Sequence, residues 1–169
     1  MKARPVALGG VLAALAVAVL MLGGIIPVGT YAAPMLAALP LIVLMQELPG
    51  GMCLGWYAAV SLLAVLLCPD KETALVFVFL GWYPLLRPRL EKLPAALRIA
   101  LKLLIFNLAV AALYSLLIFV FQLEDVVREA RETGLLLLAA MLLLGNLCFL
   151  LFDVVLKRLS LFYELKHKR

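Results

Sequence analysis

Residues 135–144 read LLLLAAMLLL. A strand of a membrane barrel alternates polar with apolar residues, and this run does not. A helix fits instead, because a segment this apolar leaves water and must then satisfy its backbone hydrogen bonds internally. The run sits inside a longer apolar stretch, 134–156, and five more stretches precede it at 6–26, 31–46, 51–67, 73–86 and 99–121. The expected fold is all-α: a polytopic membrane protein, one domain over residues 1–169, with six transmembrane helices in a compact bundle.

Composition leads to the same class. The chain is 67% hydrophobic and 15% charged, with a mean hydropathy of +1.17. Soluble domains average about 45–50% apolar and about 25% charged. A water-soluble fold of this size has no interior large enough for so much apolar surface, so lipid must take the place of a core.

The basic residues set the orientation. Threaded through six spans, one side receives 12 of them: Lys2 and Arg4, then Arg87, Arg89, Lys92, Arg98 and Lys102, then Lys157, Arg158, Lys166, Lys168 and Arg169. The other side receives 3, Lys71, Arg128 and Arg131. Positive charge stays in the cytoplasm, so this split predicts a protein of the cell membrane with both termini on the cytoplasmic side. The net charge of +5 is explained by attraction to anionic inner-leaflet lipid. The basic residues flank spans and surround no groove-reading element, which excludes nucleic acid. The first apolar run is longer than the 7–15 residues of a signal-peptide core, so it reads as a retained span.

Punctuation divides the chain further. Gly23, Gly24, Pro27 and Gly29 end the first helix in an uncharged outer loop that is expected to dip back toward the membrane. Pro34 and Pro40 predict kinks in the second span, since each removes a helical hydrogen bond. Asp70 and Glu72 suit the N-terminal end of the fourth helix, where the dipole favours negative charge. That span closes on Gly81-Trp82-Tyr83-Pro84 and then Arg87, which reads as an interfacial anchor. Residues 89–98 alternate charge with Leu and Ala and predict a short surface helix. The acidic link 122–133 predicts a surface helix on the outer side.

Enzyme chemistry is not expected. The only histidine is His167, and there is neither a GxSxG nor a GxxxxGK[ST] motif. Asp70, Asp125 and Asp153 lie near span ends and do not form an intramembrane pair. Cys53, Cys68 and Cys148 are too far apart in sequence for a metal or redox motif and read as small packing residues. No cofactor and no metal are expected, and any ATP-driven step must come from a partner.

Polar groups at depth are the candidate binding residues, because each needs a partner. Asn107 and Asn146 lie roughly 12–15 Å from the cytoplasmic ends of the fifth and sixth helices. They either hydrogen-bond to each other or face a cavity and hold a polar ligand. Asn107 and Tyr114 share a helix face, and with Ser115 and Tyr31 they are candidates for an outward-opening pocket. A packed Tyr114 with a locally bonded hydroxyl is the alternative. Lys102 and Asp153 fall at similar heights and suggest a structural ion pair, with Asp153–Lys157 at i, i+4 as its competitor. On the first helix Ala3, Ala7, Gly10, Ala14 and Ala18 form a small-residue stripe. Such stripes let helices approach closely. It serves either packing within the chain or docking to another membrane protein through Gly10, Ala14 and Ala18.

With its length, six spans, internal ends, an AxxxA motif at Ala14–Ala18 and a Gly/Pro-rich first outer loop, the chain resembles the substrate-binding S-subunits of energy-coupling factor transporters. The resemblance implies that the AxxxA face meets a transmembrane coupling subunit, that two ATPase subunits supply energy, and that the first loop is a lid over an externally open site for a small molecule. The expected function is therefore a small-molecule-binding subunit of an ATP-driven uptake transporter. The alternative is a non-transporting membrane scaffold similar to components of the cell-shape machinery. The two differ at Asn107, Tyr114 and Asn146, where a binding subunit needs a void and a scaffold a packed interior.

Overall fold

The computed structural model describes residues 3–25, 29–119 and 134–167. Among these every regular element is a helix: α1 (Ala3–Gly23), α2 (Gly29–Ala38), α3 (Pro40–Glu47), α4 (Gly50–Leu67), α5 (Lys71–Leu80), α6 (Tyr83–Leu90), α7 (Ala95–Phe119) and α8 (Leu135–His167). Among the described residues five helical segments are long and apolar enough to cross a membrane: Pro5–Gly23, Gly29–Glu47, Gly50–Leu67, Ala95–Phe119 and Leu136–Tyr163. The second of these is α2 and α3 end to end, with Pro34 inside α2 and Pro40 opening α3.

The fourth apolar stretch departs from the expected single helix. Pro84 has no N–H to donate to the carbonyl one turn back, so α5 stops at Leu80 and the chain restarts as α6. The surface helix expected over 89–98 is also absent. The segment 91–94 is instead a turn that delivers Glu91 toward α7, which opens after Pro94. The sixth stretch and the basic tail, by contrast, form one continuous 33-residue helix. The acidic link 122–133 lies outside the described residues.

Helix α1 packs against α2 and α4, and α5 sits between α2 and α7. The α1–α2 approach is so close that it depends on glycine. A Cβ on Gly23 would fall 2.1 Å from the Ala33 Cβ, and one on Gly29 would fall 2.5 Å from the Gly23 carbonyl oxygen. At the other end of α1 the Trp56 indole of α4 donates 2.9 Å to the Gly9 carbonyl oxygen. Asp70 caps α5 by accepting from the backbone N–H groups of Glu72 and Thr73 at 3.0 and 3.1 Å. Lys71 donates to the Val65 and Cys68 carbonyls at the end of α4.

The interior is built on Leu20, Leu41, Leu44, Val60, Phe77, Tyr83, Phe149 and Leu156, all fully buried. Outside it the surface is leucine-rich, with Leu136 at 88% and Leu143 at 74% exposure on α8. A surface this apolar over most of a helix is solvated by lipid or covered by protein. These features describe an integral membrane protein whose small core is continued by the bilayer.

Candidate functional site

Three polar arrangements interrupt the apolar bundle. They divide the residues that the sequence suggested for one pocket among separate places.

The first lies where α2, α5 and α7 meet. Glu72 Oε1 accepts from the Tyr31 hydroxyl at 2.7 Å and from the Tyr114 hydroxyl at 3.0 Å, and the two phenol oxygens are 3.1 Å apart. Tyr31 is half exposed, so the cluster reaches the surface beside the α1–α2 connection. Glu72 was expected only as a partner for the helix dipole. Its phenol partners are 41 and 42 residues away in sequence, and no local pattern signals them.

The second is the amide pair. Asn107 donates to the Asn146 side-chain oxygen at 2.9 Å, and Asn146 donates back at 3.3 Å. Each amide also donates to the carbonyl one turn before it, Leu103 and Leu142. Of the two alternatives for these residues, the structure has the mutual hydrogen bond. Asn107 and Tyr114 are seven residues apart, roughly 10 Å along the helix, so one bonds α8 while the other joins α2 and α5. Ser115 donates to the Ala111 carbonyl at 2.7 Å and belongs to neither group.

The third is an ionic network joining α6, α7 and α8. Asp153 Oδ1 accepts from Tyr83 Oη at 2.6 Å and Arg87 Nε at 3.1 Å, and its Oδ2 is 2.6 Å from Lys102 Nζ. Lys102 also reaches Glu91 at 3.0 Å, and Arg87 and Arg98 reach the same carboxylate at 3.4 and 3.2 Å. Lys102, Asp153 and Arg87 are 4%, 8% and 9% exposed. Buried charges hold only when paired and hydrogen-bonded, and each of these is. Burial pushes the Glu91 carboxyl up, but the three cations outweigh it and hold it below its ordinary value.

Asp153 thus meets Lys102 across α7 and α8, joined by Tyr83 and Arg87, two partners the sequence reading missed. Tyr83 does not present its ring to the surroundings as an anchor would. It is fully buried, with its ring edge-on to Phe149 at 4.7 Å. The available signal was the spacing of Tyr83, Arg87 and Glu91, which places all three on one helical face.

Beside this network a cleft of about 420 Å³ is lined by residues of α3, α6 and α8. None of Tyr31, Asn107, Tyr114, Ser115 and Asn146 lines it. On α1, Gly10, Ala14 and Ala18 are all exposed, so packing among the described residues does not account for these three. Among the described residues no cluster of His, Cys, Asp and Glu is arranged to hold a metal ion. The chain matches no protein-family model, no curated protein and no solved structure.

Proposed function

We propose that this chain is a small-molecule-binding subunit of an ATP-driven uptake transporter in the cytoplasmic membrane, similar to the S-subunits of energy-coupling factor systems. In this reading the chain crosses six times with both ends inside. The α5–α6 pair makes the fourth crossing, since its 20 residues from 71 to 90 extend roughly 30 Å if both parts run on one axis. A break at membrane depth is tolerated where protein covers it, and Gly81 and Tyr83 are both buried.

The Tyr31–Glu72–Tyr114 cluster is the observation that carries the reading. A carboxylate held by two phenols at the outer mouth of a helical bundle suits a ligand with a cationic or hydrogen-bond-donating group. The phenols hold the carboxylate in place, and the half-exposed Tyr31 gives access. The exposed Gly10–Ala14–Ala18 face supports docking of α1 to a coupling subunit, because small residues admit a second helix closely.

Gentle purification followed by mass spectrometry tests this reading. A small molecule that co-purifies with the wild type and is lost from Glu72→Gln supports it. An identical small-molecule profile for the two proteins overturns it. A scaffold is the second reading, favoured by the way Asn107 and Asn146 close on each other. It predicts that partner proteins, and no small molecule, co-purify.

A further inference from the structure

The cleft between α3, α6 and α8 has two kinds of wall. Ile42, Met45 and Leu156 make one apolar, and Gln46, Arg87 and Lys157 make the other polar. It lies at the end of the bundle opposite the Tyr31 cluster, because α2 and α3 run from Tyr31 to Gln46. Charge around it is unbalanced among the described ion pairs: Arg87, Arg98 and Lys102 share Glu91 and Asp153, and Lys157 adds a fourth cation to the lining. Glu91 also lines the cleft, but three cations already hold its carboxylate. Lys157 lies one turn beyond Asp153, whose two oxygens are taken by Tyr83, Arg87 and Lys102. Lys157 is exposed at the cleft and forms no ion pair among the described residues.

We propose that this cleft binds a phosphoryl group, and that the group is the headgroup phosphate of an anionic phospholipid. Lys157 supplies the unbalanced charge. Arg87, already fixed by Asp153 and Glu91, adds positive potential from a rigid position. Gln46 offers an amide donor. The apolar wall of Ile42, Met45 and Leu156 distinguishes a lipid from free phosphate, since it takes the methylenes that continue from a glycerophosphate into the acyl chains. Basic pockets between membrane helices hold anionic lipid by this combination of charge and apolar contact. The inference rests on residence in the bilayer and not on transport or on a ligand at Glu72.

The test is native mass spectrometry of the detergent-purified protein with phosphatidylglycerol or phosphatidylcholine added. Wild type should retain one phosphatidylglycerol under conditions that strip phosphatidylcholine. Lys157→Gln should weaken that retention about fivefold, the factor for one basic residue at an anionic lipid surface, and Lys157→Arg should restore it. Arg158→Gln, exposed and outside the cleft, should leave retention unchanged. Equal retention by wild type and Lys157→Gln overturns the proposal, as does an equal loss in Arg158→Gln. A melting shift given by inorganic phosphate alone, as large as that given by phosphatidylglycerol and lost in Lys157→Gln, overturns the lipid assignment in favour of a soluble phosphate. Failure of the Glu72 experiment would leave all of these results unaffected.

Discussion

Lys102 and Asp153 meet at 2.6 Å across α7 and α8, although 51 residues separate them in sequence. Both are nearly closed to solvent, and removing either takes from the other its shortest ionic contact. Lys102→Met leaves Asp153 with Arg87 and the Tyr83 hydroxyl and takes a cation from Glu91. Breaking a buried pair from one side costs about 3–5 kcal/mol. The expected result is a large drop in melting temperature in detergent. Asp153→Asn should cost less in the Lys102→Met background than it does alone, because the nearer of its two cations is already gone. Additive losses from the two changes would rule out this coupling.

The amide pair makes a smaller and separable contribution. Interhelical hydrogen bonds in membranes are worth about 0.6–2 kcal/mol. Asn146→Leu should therefore cost that much in stability, and Asn107→Leu on top of it should add little, since its partner is already gone. A double-mutant cycle on thermal or denaturant unfolding reads the coupling directly. If Asn146→Leu leaves stability unchanged but abolishes small-molecule binding, the amides act on a ligand rather than on each other.

The helices were legible because their apolar runs are long and carry almost no charge, Lys102 and Asp153 being the exceptions. The Lys102–Asp153 pair was legible because counting residues from each span end gave the same depth. The break between α5 and α6 was harder to see. Gly81-Trp82-Tyr83-Pro84 reads equally well as a membrane-interface anchor, and the end of α5 at Leu80 with Tyr83 buried is seen only in the folded chain. Glu72 escaped notice as the centre of a cluster for a related reason. Its local role at the start of α5 is complete without Tyr31 and Tyr114, which arrive only through tertiary packing. Grouping Asn107, Tyr114 and Ser115 by helical periodicity gave direction around α7 but ignored the separation along it.

Acid should weaken the α6–α7 connection through Glu91. Its folded carboxyl is held below the ordinary value of 4.5 by Lys102, Arg87 and Arg98. A depressed carboxyl stabilises the fold at pH above its unfolded value, and that contribution is lost as pH falls through the folded value. The expected curve is flat near neutrality and falls only below pH 4.5. Glu91→Gln should melt lower than wild type at neutral pH, with the gap closing in acid. A gap that persists below the folded value would assign the loss to packing.

Two small residues on α1 should respond oppositely to the same enlargement. Ala14 is exposed on the outward stripe, and the added side chain of Ala14→Leu would enter lipid or a partner's space. Its stability in detergent should stay within about 0.5 kcal/mol of wild type, as for surface positions generally. A co-purifying membrane partner, where one is present, should be lost. Gly23 faces Ala33 so closely that even a Cβ would sit 2.1 Å from another carbon. Gly23→Leu must force α1 and α2 apart, and overpacking of this kind costs about 1–3 kcal/mol or more. Melting curves of the two variants side by side, with partner retention measured on the same preparations, separate the docking face of α1 from its packing face. A destabilised Ala14→Leu or an unaffected Gly23→Leu would reverse the assignment of those faces.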